Sequence, residues 1–280
     1  MKTILLTGSS GFIGSNLYEL LSPIYNIICI DKKENINILD YDKLEQIFID
    51  NTIDIIIHLA AIPGVRYSIN HSQEVLNNNI IGFENICKLG IQYNVKHIVY
   101  ASSSSVYGEN NVPKSPYAIS KCTNELQAAM YSSIYPNIKF TGLRFFTVYG
   151  KNIRTDLGLY KFIDGIKNNK PIYIYGDGTQ SRDFTYVKDI CNAIKCIIES
   201  SKSWNHEVFD IGYGQSVTIN KLIDILKELL NTEFNQVIYQ EENKYDVKHT
   251  LSDNHKLYDW FNFRPSYDIY HGLYELLLII

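Results

Sequence analysis

Thr3 to Thr7 is a short apolar run, and Gly8-Ser9-Ser10-Gly11-Phe12-Ile13-Gly14 follows it directly. A helical pattern then reaches Leu21, where Ser22-Pro23 stops it. A second apolar run, Ile27 to Ile30, ends on Asp31. Strand, glycine turn, helix, strand, acid is the opening βαβ unit of a dinucleotide-binding sheet. Glycines let the backbone approach a diphosphate, and the helix start offers free N–H groups and a positive dipole end. Gly8, Gly11, Phe12, Ile13 and Gly14 are therefore candidate cofactor contacts. Asp31 can accept hydrogen bonds from a ribose diol and repels a 2′-phosphate, which favours NAD over NADP. Lys32 and Lys33 beside it temper that preference. Lys32, Asn37 and Ile38, between this acid and the next helix, join the cofactor candidates.

The alternation continues down the chain. A helix over 41–48, capped by Asp40, leads to a buried strand over 53–59 that ends in Ala60-Ala61. A long helix is predicted over 72–93, with Asn79 inside it; a buried Asn there needs a partner. Strands follow over 95–101 and 138–145, with a helix from Tyr117 to about Tyr135 between them. This predicts an α/β fold, a doubly wound parallel sheet with ligands at its strand ends. The glycine loop, Asp31, Ala60-Ala61, Ser103 and Phe146-Thr147 all fall at such ends. After Gly150 the rhythm changes. Helices are predicted over 157–168, 187–200 and 219–230, strands over 171–175 and 207–211, and a polar turn over 176–183. Residues 1–152, with returns at about 186–211, read as the cofactor domain, and 153–280 as mainly a smaller α/β C-terminal substrate lobe.

Ser103-Ser104-Ser105-Val106-Tyr107-Gly108 precedes Tyr117-Ala118-Ile119-Ser120-Lys121. Tyr117 and Lys121 share one helix face. An ammonium beside a phenol favours the phenolate, so the Tyr117 pKa should fall and the group can act as a general base toward an alcohol. Ser103 could share the proton network. Alone, the same spacing fits an exposed Tyr and a solvated Lys; the serines and the glycine turn favour the catalytic reading.

The net charge of -4 over 280 residues, without basic runs, argues against nucleic acid or an anionic membrane surface as a partner. No apolar stretch is long enough to span a membrane, and the start of the chain does not read as a secretory signal. Cys29, Cys87, Cys122, Cys191 and Cys196 lack close pairing and read as reduced thiols of a cytoplasmic protein. The seven His residues show no metal-ligand spacing, so no metal is expected.

With these motifs in hand, the sequence resembles the extended short-chain dehydrogenase/reductase family, the nucleotide-sugar epimerases and dehydratases. The resemblance rests on Thr7-Gly8-x-x-Gly11-Phe12-Ile13-Gly14, His58-Leu59-Ala60-Ala61, Asn79-x-x-Gly82, the Ser103–Gly108 run, Tyr117-x-x-x-Lys121 and Arg182-Asp183-Phe184-Thr185-Tyr186-Val187. It implies a Rossmann-type fold with NAD against the glycine turn, Leu59, Ala60, Ala61, Asn79, Ala101, Phe145, Tyr117 and Lys121. Dehydratases of this family carry an Asp and a Glu where Ser104 and Ser105 stand, so dehydration is disfavoured. Gly64-Val65-Arg66-Tyr67-Ser68 and Thr141 to Gly150 are similar to UDP-glucuronate 4-epimerases. The implied reaction inverts C4 of a UDP-sugar through a 4-keto intermediate. Tyr117, Lys121 and Ser103 would be catalytic, with Ser104 also on O4. Arg154 would pair with the substrate carboxylate, Arg182 with the phosphates, Thr147 and Arg66 would line the sugar end, and Asp246 would complete the substrate set. A homodimer through the helices around Ile80, Phe83, Ile86 and Tyr117 is the family expectation. A UDP-glucose or UDP-GlcNAc 4-epimerase, a 4-keto-sugar reductase, a uronate decarboxylase and a silent nucleotide-binding scaffold are the alternatives.

The sequence also departs from the family. The segment from Gly108 to Tyr117 is short, Phe83 replaces a small Thr, and Asn243 stands where an Arg is usual, with Lys244 as a substitute point charge.

Overall fold

The computed structural model describes residues 1–243 and 245–280. In chain order the elements begin with β1 (Thr3–Thr7), α1 (Phe12–Leu21), β2 (Asn26–Ile30) and α2 (Tyr41–Asp50). The Asp40 carboxylate caps α2, accepting from the Lys43 N–H at 3.2 Å. β3 (Ile55–His58), α3 (Val65–Asn70), α4 (Ser72–Leu76) and α5 (Gly82–Gln92) follow. The expected helix over 72–93 is continuous, but widens into a π-helical turn at Asn77–Ile81. β4 (His97–Ser103) then leads to α6 (Pro116–Ile134). Pro116 opens α6, and the Ser115 hydroxyl accepts from the Ala118 N–H at 3.1 Å.

β5 (Lys139–Phe145), β6 (Thr147–Tyr149), α7 (Gly158–Lys167), β7 (Ile172–Tyr175), β8 (Ser181–Tyr186) and α8 (Val187–Glu199) come next. The chain finishes with β9 (His206–Ile211), β10 (Ser216–Thr218), α9 (Ile219–Leu229), β11 (Val237–Gln240), α10 (His255–Phe261) and α11 (Ile269–Leu277).

Six strands form one parallel sheet in the order β2-β1-β3-β4-β5-β9. The order reverses between β1 and β3, and such a reversal opens a crevice at the carboxyl ends. Side chains alternate across the sheet: Ile4, Leu6, Ile55 and Ile57 join α1 and α8 on one face, and Leu5 and Ile56 join α2 and α5 on the other. A third core gathers α7, α9 and α11 around Tyr149, Ile174 and Phe184.

Two expectations change here. Phe83 and Ile86 are fully buried, Phe83 between the rings of His58 and Tyr100, so this face packs the core rather than a partner. The predicted polar turn over 176–183 gives way at Ser181 to β8, so Arg182 and Asp183 stand on a strand. Asp183 is fully buried and accepts from the N–H groups of Tyr213, Gly214 and Ser252. It holds no ion pair with Arg182.

Helix α1 is also stitched to the loop after β6. Asn16 Nδ2 donates to the Lys151 carbonyl at 2.9 Å, Asn152 Nδ2 to Ser15 Oγ at 3.0 Å, and Lys151 pairs with Glu19 at 2.7 Å.

Candidate active site

The glycine turn closes tightly on the sheet. Gly8 has a φ of 72°, and its N–H donates to the Ile30 carbonyl at 2.7 Å. A Cβ on Gly8 would lie 2.8 Å from the Ala60 nitrogen, and one on Gly14 only 2.0 Å from the Gly8 carbonyl oxygen. No side chain caps the start of α1, so its first N–H groups face the turn. Asp31 accepts from the N–H groups of Ser10 at 3.2 Å and Lys33 at 3.0 Å. These features fit a dinucleotide diphosphate over the turn and a ribose beside Asp31. Lys32 is exposed beside Asp31, and Asn37 Oδ1 accepts from the Leu39 N–H at 3.0 Å. Ile38 packs against Gly82 in the core, so its side chain does not enter the crevice.

The floor of the crevice is a polar chain. Thr7 Oγ1 meets His58 Nδ1 at 2.8 Å and accepts from the Ala60 N–H at 3.2 Å. Burial, followed by the Lys121 charge, holds the His58 imidazole down at about 3, so it is neutral. Asn79 is 1 % exposed and fully paired. Its Oδ1 accepts from the Ile62 N–H at 2.8 Å, and its Nδ2 donates to the Ile62 carbonyl and to Ser120 Oγ, both at 3.1 Å. Leu59, Ala60, Ala61 and Ala101 line the same strand ends half-buried, with Phe145 beneath them.

Tyr117 and Lys121 point inward from α6. Lys121 is 2 % exposed, and its Nζ donates to the Ala101 carbonyl at 2.7 Å. Burial pulls its pKa down to about 8, opposed by the Glu125 charge. The expected lowering of Tyr117 by Lys121 is not seen: burial raises the phenol, while a hydrogen bond with Ser103 and the Arg154 charge lower it. The Lys121 nitrogen lies 6.0 Å from the Tyr117 ring centre, engaged with the backbone. Ser103 Oγ accepts from the Ser105 hydroxyl at 2.9 Å, and Ser104 starts the 3-10 turn beside it. The short segment after Gly108 is a tight hairpin, Glu109 bridging Val112 across Asn110 and Asn111, both at positive φ.

Behind the site, Ser102, Glu125, Arg144 and Asp210 were not singled out from the sequence. Ser102 donates to Glu125 at 2.5 Å, Arg144 clasps Glu125 with two bonds and donates to Tyr107, and Tyr107 donates to Asp210 at 2.7 Å. The signal for one was present: Glu125 lies one helical turn beyond Lys121.

The substrate candidates divide into two groups. Arg154 reaches the crevice near Gly64 and Tyr117 and is paired with Asp156. Thr147 stands half-buried on β6, beside Phe184 of β8. The other group lines a cleft of ≈ 270 Å³ built from Tyr175, Arg182, Asn243, Asp246 and Lys248. Arg66 reaches this cleft: it pairs with Asp246 at 2.6 Å and stacks 4.2 Å over the Tyr175 ring. Arg182 donates to the carbonyls of Ser181 and Lys248. Lys244 lies outside the described residues. Among the described residues no group of acidic, His or Cys side chains could hold a metal, and no helix is long and apolar enough to cross a membrane.

The chain and its fold have counterparts. The chain is 33% identical to a UDP-glucuronate 4-epimerase of Thermodesulfobacterium geofontis, over 98% of this chain and 94% of that one. A UDP-glucose 4-epimerase from Thermotoga maritima, solved with UDP-glucose, superposes with a TM-score of 0.91 at 29% identity, covering 99% and 97% of the two chains. A UDP-glucuronic acid 4-epimerase from Bacillus cereus, solved with UDP-glucuronic acid and NAD, gives 0.89 at 29% identity, covering 98% and 97%. The family profile spans residues 4–212, from β1 to the end of the central sheet. Sheet order, glycine turn and profile agree: the chain belongs to the NAD dependent epimerase/dehydratase family.

Proposed function

We propose that the protein is an NAD-dependent 4-epimerase that interconverts UDP-glucuronate and UDP-galacturonate. The observation that carries this reading is the half-buried Tyr117 phenol beside Ser103, with the Arg154 guanidinium near enough to lower its pKa. A phenol takes a proton from a sugar hydroxyl, and a guanidinium suits a sugar carboxylate. The similarity to UDP-glucuronate 4-epimerases supports the same substrate.

NAD, when bound, would supply an acceptor and donor for the C4 hydride and a positive charge that favours the phenolate. Gly8, Gly11 and Gly14 would admit its diphosphate, and Asp31 would hold the adenosine ribose. Tyr117 takes the O4 proton and gives it back after the 4-keto sugar has presented its other face. Ser103 holds O4 and relays the proton, and Ser104 lies within the same turn. Lys121, anchored on the Ala101 carbonyl, would hold the nicotinamide ribose. Arg182, Arg66 and Asp246 would line the nucleotide end, and Thr147 the sugar.

Residues 1–152, with returns at about 186–211, would serve the cofactor, and 153–280 mainly the substrate. The five cysteines are all free, which fits a reducing, cytoplasmic compartment. Ile119, Leu126, Met130 and Ile134 are exposed along one face of α6, with Ile81 also exposed on the π turn. A homodimer would cover this stripe, and analytical ultracentrifugation tests it.

The function is tested by incubating the pure protein and NAD with a panel of UDP-sugars. The expected result is C4 inversion of UDP-glucuronate, read by NMR, with no net change in cofactor. Net NADPH consumption would point to a reductase, and release of carbon dioxide to a decarboxylase.

A further inference from the structure

Arg154 carries its own counter-ion. Its Nε donates to Asp156 Oδ1 at 3.0 Å, and its Nη2 to Oδ2 at 2.5 Å. The tight turn before α7 brings the two together, closed by the Leu157 N–H donating to the Arg154 carbonyl at 3.2 Å. Both side-chain bonds use the Nε/Nη2 edge of the guanidinium. The other end, at Nη1, is left for a second acceptor. The Arg154 side chain is only 31% exposed, while that of Asp156 is 62% exposed. The guanidinium is therefore the more desolvated partner and the one that needs a counter-charge.

A site built around an unpaired cation rejects a ligand lacking the matching anion, because the cation is then left unsatisfied. Asp156 removes that penalty here. We propose that Asp156 sets the specificity of the site: by giving Arg154 a standing partner, it weakens the preference for a uronate over a neutral hexose. The inference rests on the proposed function, in which Arg154 meets the substrate carboxylate. Two effects act together. The Asp156 carboxylate repels a uronate approaching the same guanidinium, and it keeps Arg154 compensated when a neutral sugar is bound. Burial raises the Asp156 carboxyl, but its bonds and charge interaction with Arg154 bring the net value below the usual carboxylate range, so it is ionised at neutral pH.

The test measures binding rather than turnover. In a Tyr117→Phe background with NAD bound, UDP-glucuronate and UDP-glucose are titrated calorimetrically into the otherwise unchanged protein and into Asp156→Asn, Asp156→Glu and Arg154→Ala. Asp156→Asn should raise the ratio of the two affinities, in favour of the uronate, by about threefold to tenfold. Asp156→Glu, which keeps the charge, should hold the ratio within about twofold. Arg154→Ala should abolish the preference. An unchanged or lower ratio in Asp156→Asn, with Arg154→Ala still abolishing the preference, overturns the role of Asp156 alone. A preference that survives Arg154→Ala overturns the carboxylate assignment, and this inference with it.

Discussion

Asn79 and Ser120 meet inside the protein at 3.1 Å, joining the π turn after α4 to the helix that carries Tyr117 and Lys121. The same amide pairs both backbone groups of Ile62. Asn79→Ala would leave those half-buried groups without partners and Ser120 without its donor. It should cost about 2–4 kcal/mol of stability and lower Tm by several degrees. Chemical and thermal denaturation followed by circular dichroism measures this. A loss below about 0.5 kcal/mol would mean that water or a shifted loop replaces the amide.

Tyr117→Phe removes the phenol oxygen beside Ser103 and leaves the glycine turn untouched. Turnover should fall by about 100- to 10,000-fold while NAD remains bound. Epimerase assays beside the cofactor content of the purified variant test this. Activity near that of the parent protein would take the general base away from Tyr117.

Lys121 is buried, and its pKa of about 8 lies below the ordinary 10.5. The unfolded chain therefore binds the proton more readily, and the penalty for burying the ammonium is complete below pH 8. It fades as pH rises from about 8 toward 10.5. Lys121→Met should thus be about 1–3 kcal/mol more stable than the parent at pH 7, yet inactive. Denaturant titrations at pH 7 and pH 10 should show the gain shrinking as pH rises. A gain that grows with pH would contradict the buried-ammonium account.

Gly14→Ala puts a methyl group 2.0 Å from the Gly8 carbonyl oxygen and 3.0 Å from the Ser9 Cα. These are backbone atoms, so the turn must open. NAD affinity should fall by at least about tenfold and stability by about 1–3 kcal/mol. Calorimetric titration with NAD measures the first effect, and an affinity equal to that of the parent would show that the turn does not cradle the diphosphate.

The first half of the fold is legible because its local signals agree. Thr3 to Thr7, the glycines, Leu21 before Ser22-Pro23 and the run ending on Asp31 each point to the same βαβ unit, and β1, α1 and β2 lie there. β8 was missed because Ser181-Arg182-Asp183 is polar. It is a strand because its backbone pairs with β10 and β6, Asp183 opposite Ser216 and Phe184 opposite Thr147, partners distant in sequence. Spacing placed Tyr117 and Lys121 on one face, but depth of burial is not a property of spacing. Burial reverses the expected direction for the phenol. The pairing of Arg66 is hidden from the sequence for a similar reason: its partner Asp246 is 180 residues away, and only the folded chain sets them 2.6 Å apart.

The bonds from Ser15, Asn16 and Glu19 to Lys151 and Asn152 give α1 a second duty. The helix that opens on the glycine turn also serves as the post to which the segment leading to Arg154 is lashed. The glycine turn and the segment that carries the Arg154 guanidinium therefore hang from one shared rod.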